Sequence, residues 1–175
     1  MRTSPVLSAY LCIALSAMKE STSVMRKNIG KMAKNLISFI MTYSLESTIA
    51  EKFNAIPQRF ELTGRMKDFY DIYYLARTFD FDGVKLQTAI SRTLERRGTP
   101  YEKDSFKRIL TLAEDADMQK RWKYFLKTIK DDTLEFSTAI EEIQTFLEPV
   151  FDAIVKEEEW QNSWDISANI WVKTS

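Results

Sequence analysis

From residue 43 onward, apolar residues recur at steps of three and four, the period of helices buried along one face. Leu45, Ile49, Phe53 and Ile56 form the first stripe. Ser44 stands before it as an N-cap, and Pro57 is expected to close it. After a break at Gly64, a second helix is predicted over 65–77, with Met66, Phe69, Tyr73 and Ala76 inward. Residues 80–83 read as a turn, and a helix over 84–97 follows that Gly98 and Pro100 terminate. A further periodicity starts over 101–112. Trp122, Phe125, Leu126 and Ile129 mark a helix over 118–130. Phe136, Ile140, Ile143, Leu147, Val150, Ile154 and Val155 mark the last one over 133–159, with Pro149 expected to kink or break it. No segment alternates at period two, so the fold class expected is mainly α, a helical bundle. The tail over 160–175 fits neither pattern.

The beginning of the chain has a different character. Residues 5–17 are apolar and too short for a bilayer span, which needs about 20 residues. They have the outline of a signal-peptide apolar region and would serve equally as a buried helix. Met25, Ile29, Met32, Leu36 and Phe39 suggest an amphipathic helix after them. Three segments are therefore expected: 1–42, of unclear relation to the rest; 43–159, a helical domain; and 160–175, a tail.

Composition narrows the chemistry. The 175 residues include no histidine, one cysteine (Cys12) and four glycines. There is thus no imidazole base, no Cys-His or Ser-His pair, no internal disulfide and no Gly-rich phosphate loop. Carboxylates, lysines, arginines and hydroxyls remain. Lys plus Arg and Asp plus Glu balance at 25 each. The balance hides an acidic stretch over 130–160 and a basic beginning, poles that could attract each other or, at the basic end, meet nucleic acid.

Two helices hold the candidate site. Lys52 falls on or beside the first apolar stripe, where a lysine is least expected, and either snorkels to solvent or is held by a partner. Glu51, about 100° around the helix, could anchor a different cation. On the second helix Asp68 and Asp71 are three apart and share a flank. They could bind Mg²⁺, orient a lysine, or pair with Arg65 and Lys67; the interleaved charges read first as a solvated face. Trp122 reads as core. Trp160, Trp164 and Trp171 could stack on nucleic-acid bases, but the acids at 157–159 and Asp165 argue against a phosphate-binding surface. Arg92, Arg96 and Arg97 could meet RNA phosphate or simply end a solvated helix.

The runs YSLESTIAEKFNAI (43–56) and GRMKDFYDIYYLAR (64–77) resemble the nucleotidyltransferase toxins of the AbiEii type, the toxin halves of abortive-infection, type IV toxin–antitoxin systems of phage defence. The resemblance covers about 42–155 and is diffuse beyond Pro100. It implies a cytoplasmic enzyme that moves a nucleotide from an NTP to an acceptor such as tRNA with Mg²⁺. By that likeness Lys52 and Asp68 are catalytic, Lys52 on the triphosphate and Asp68 orienting it or acting near the attacking hydroxyl. Glu51, Arg65, Lys67 and Asp71 are nucleotide-binding: Arg65 and Lys67 add charge stabilisation, and Asp71 holds the network.

One departure weighs on this. No Gly-Ser turn with paired acids precedes Tyr43, so the two motifs that supply metal ligands in the family are missing and no metal residue is assigned. The resemblance then implies a truncated C-terminal portion, with most of the catalytic sheet missing and inactive alone. The alternative is a non-catalytic helical module that binds a separate catalytic domain or a cognate antitoxin, without a membrane role.

Overall fold

A computed structural model describes residues 44–58, 65–101, 105–131 and 133–174. The helices expected within 1–42 and the break at Gly64 lie outside these residues. Helix α1, Leu45–Gln58, starts at Ser44, whose Oγ accepts the Ser47 N–H at 3.2 Å. Ile49, Ala50, Phe53 and Ile56 bury its inner face. It runs past Pro57 instead of stopping there. A proline in the final turn removes one N–H bond, and the helix ends a residue later, which confines the loss.

Helix α2, Met66–Ala76, turns Met66, Phe69, Ile72, Leu75 and Ala76 inward. Tyr73, expected on that stripe, sits half-buried at its edge. Strand β1, Phe81–Asp82, leads into α3, Gly83–Arg97. Asp82 caps α3 by accepting the Lys85 N–H at 3.0 Å. Gly98 closes it in the left-handed region at φ 61°, a conformation that costs glycine little, and its N–H returns to the Glu95 carbonyl. Helix α4, Ser105–Thr111, and a 3₁₀ turn, Leu112–Glu114, follow.

Helix α5 spans Ala116–Ile129, starting earlier than its apolar stripe because Asp115 accepts the N–H groups of Asp117 and Met118 at 2.9 Å. Trp122 and Leu126 are buried, whereas Ile129, expected inward, is exposed at the helix end. Helix α6, Phe136–Val155, is unbroken through Pro149. Ile140, Ile143, Phe146, Leu147, Val150, Phe151 and Ile154 are buried on either side of the proline, and their packing outweighs one missing hydrogen bond.

The tail adds what the sequence pattern did not announce. Strands β2, Asn162–Asp165, and β3, Ile170–Lys173, form a hairpin, and β1 pairs antiparallel with β2 to complete a three-stranded sheet. Strands of two to four residues are too short to display a period-two pattern. Trp164 and Trp171 lie opposite each other in register and pack on Phe146, at ring separations of 5.0 and 5.8 Å. The fold is mainly α, six helices and one small sheet among the described residues, around a continuous core through α6.

Candidate functional site

The site grows from the facing flanks of α1 and α2. Lys52 emerges next to buried Phe53, and its ammonium has nowhere apolar to rest. Its Nζ meets Asp71 Oδ2 at 2.5 Å and Asp68 Oδ1 at 3.3 Å. The spacing of three places both carboxylates toward α1. The start of the same helix then supplies a second cation to each: Arg65, at its N-cap, donates from Nη1 to Asp68 Oδ2 at 3.0 Å, and Lys67 Nζ donates to both oxygens of Asp71 at 3.2 Å. The result is a row, Arg65, Asp68, Lys52, Asp71, Lys67, in which charges alternate. Among the described residues, three cations face two carboxylates, an excess of one positive charge.

Burial grades across this row. The Asp71 side chain is 4% exposed and Lys52 14%, whereas Lys67 at 35% reaches solvent. The flank is thus a buried network with solvated ends, and the reading as a solvated face is corrected. A helix turned by its Phe69–Ile72 stripe toward the core carries its neighbours Asp68 and Asp71 partly under with it. Of the three uses open to the two carboxylates, they orient a lysine and pair with Arg65 and Lys67. Both are engaged by cations, and among the described residues no group of three or more His, Cys, Asp or Glu side chains could hold a metal. The described residues of the site therefore do not fit Mg²⁺.

Glu51 belongs to a separate cluster. Its carboxylate accepts from Arg96 and, at 2.8 Å, from Arg97, at the C-terminal end of α3. Five of the six sequence-derived residues therefore come together, and Glu51, the sixth, ties α1 to α3 beside them. The sequence did place Glu51 where it could hold a different cation. It did not announce the buried bond from Thr99 Oγ1 to Asn54 Oδ1, 2.5 Å, which joins α1 to the residue just past the Gly98 cap of α3. Nothing in one sequence pairs residues 45 positions apart. Further along α2, Arg77 sits over the Tyr73 ring at 5.8 Å and pairs with Glu142 at 2.5 Å. Burial raises the Tyr73 phenol above its usual value; Arg77 opposes this, and Glu142 and Asp131 add to it.

The tryptophans are structural. Trp122 Nε1 donates to the Leu134 carbonyl, Trp164 Nε1 to that of Ala76 and Trp171 Nε1 to that of Phe146. Trp160 packs edge-on against Trp171. No helix of the described residues is long and apolar enough to cross a membrane.

Fold and site together define a helical domain that presents a pre-ordered, net positive cluster between two helices. The family model "Nucleotidyl transferase AbiEii toxin, Type IV TA system" matches residues 25–161, and the chain belongs to that family. The match takes in both site helices and begins upstream of Tyr43. Membership supports a nucleotidyltransferase of toxin type and implies an antitoxin as partner. No curated protein and no solved structure matches the chain.

Proposed function

We propose that this domain forms the phosphate-binding side of a nucleotidyltransferase site, with an NTP as the donor and an RNA, tRNA by family likeness, as the cytoplasmic acceptor. The observation that supports this reading is the row built on Lys52, held between two carboxylates with a further cation at each end and, among the described residues, one positive charge in excess. Transfer of a phosphoryl or nucleotidyl group depends on positioning and on neutralising charge that develops on phosphate oxygens. Lys52 meets the triphosphate, while Arg65 and Lys67, at the solvated ends, add charge to it. Asp68 orients Lys52 and acts near the attacking hydroxyl. Asp71, the most buried member, holds the others in place. Glu51 contributes through position, fixing the helix that carries Lys52, since a carboxylate would repel the phosphates directly.

In this reading the oxygen ligands for Mg²⁺ are not supplied by this chain, since no paired acids precede Tyr43. The expected outcome is that the isolated chain, with Mg²⁺ and α-labelled NTP, transfers no label to tRNA or protein. Robust transfer that disappears in Lys52→Ala and Asp68→Ala would overturn the inactivity and uphold the site. Transfer that survives both substitutions would sink the site assignment.

A further inference from the structure

Lys67, Tyr70, Asp71 and Tyr74 follow one another on α2 at steps of three, one and three, and so share a flank of the helix. The first and last are two turns apart, about 10 Å along the axis. The flank that carries the phosphate-facing cation therefore continues into an aromatic pair. The rings of Tyr70 and Tyr74 lie nearly parallel, 17° between planes and 6.3 Å between centroids. Tyr70 is braced from α5 by Phe125, edge-on at 5.7 Å, and by Trp122 at 6.3 Å. Both tyrosines remain half-buried while Ile72 and Leu75 complete the core behind them.

Core packing alone explains Tyr70, which touches α5. It does not explain Tyr74, which stacks on Tyr70 and remains partly open to solvent. We infer that the Tyr70–Tyr74 pair is a stacking shelf for the base of the nucleotide whose phosphates meet Lys52, Arg65 and Lys67. This rests on the phosphate-binding reading above and extends it to the other end of the same ligand. Two helical turns match the reach from the outer phosphates across the ribose to the base. Every nucleobase has a π-face, so a stacking shelf selects by ring size, purine over pyrimidine, more than by base identity.

Calorimetric titration of the full chain with GTP, ATP, UTP and inorganic tripolyphosphate tests both levels separately. The expected order has purine nucleotides tightest and tripolyphosphate weaker. Tyr74→Leu weakens GTP and ATP about tenfold, the order of one lost base–aromatic stack, leaves tripolyphosphate unchanged, and Tyr74→Phe binds as the parent does. An unchanged ratio of GTP to tripolyphosphate affinity in Tyr74→Leu overturns the shelf alone, as does a parent chain that binds both equally. A parent chain that binds neither overturns the phosphate reading and the shelf with it. Should Tyr74→Leu fail to fold by circular dichroism, photolabelling of the parent chain with 8-azido-ATP decides. Label on the peptide containing Tyr74 supports the shelf, and label confined elsewhere overturns it.

Discussion

Asp71 and Lys67 share an ion pair but differ in what their loss should do. Asp71 is buried and contacts two ammonium groups, so Asp71→Asn leaves Lys52 short of a counter-charge in a place water reaches poorly. Breaking a buried pair from one side costs about 3–5 kcal/mol. Lys67→Ala removes a solvated partner and should cost no more than about 1 kcal/mol, the usual value for an exposed pair. Urea midpoints compared at constant m-value would measure both. Equal losses would mean that burial does not govern this network. The two substitutions also show where sequence reasoning stopped. The spacing put Asp68 and Asp71 on one flank, and the apolar stripe singled out Lys52 as displaced. That the lysine answers the carboxylates is a tertiary fact. It depends on how α1 and α2 face each other, and periodicity within either helix does not contain it.

Helix starts and stops were readable where a local signal sets them. Ser44 and Gly98 act through neighbours within four residues, which a sequence displays directly, whereas Asp82, read only as part of a turn, caps α3 in the same local way. Pro149 does not break α6, because its local penalty competes with a buried face along most of the helix. Gly83 teaches the same lesson in reverse. At the first turn of α3 a Gly→Ala change ordinarily stabilises a helix by about 0.5–1 kcal/mol. Here a Cβ would fall 2.5 Å from the Asn162 carbonyl oxygen and 2.7 Å from both the Trp160 carbonyl oxygen and its ring. Two of those three atoms are backbone, one at the start of β2 and one in the segment leading to it, where the Trp160 N–H donates to Gln87 Oε1 at 2.9 Å. Gly83→Ala should therefore destabilise by about 1–3 kcal/mol, the cost of overpacking. A melting temperature raised by the substitution would show that α3 and the strand can separate freely.

At the scale of the whole domain, the β2–β3 hairpin links two helices that are far apart in sequence. Trp164 reaches the last carbonyl of α2 at Ala76, and Trp171 reaches Phe146 in the middle of α6. One short hairpin thus joins the helix that bears Asp68 and Asp71 to the helix that organises the core. Its two indoles, with Phe81 and Phe146, form one aromatic group under that junction. Trp164 is 1% exposed, and truncating such a residue costs about 3–5 kcal/mol. A domain has only about 5–15 kcal/mol in total. Removing residues 162–175 deletes both indoles and the β1 pairing together, so the shortened chain should lose its cooperative transition in urea. Trp164→Phe, which keeps most of the buried area but not the N–H to Ala76, should retain the transition at a lower midpoint. The family match stops at residue 161, just before this hairpin. If the shortened chain unfolded at the parent midpoint, the hairpin would be an appendage and the site would rest on the helices alone. If cooperativity is lost instead, the geometry of Lys52 between Asp68 and Asp71 depends on a strand pair more than ninety residues away in sequence, beyond the reach of any local pattern.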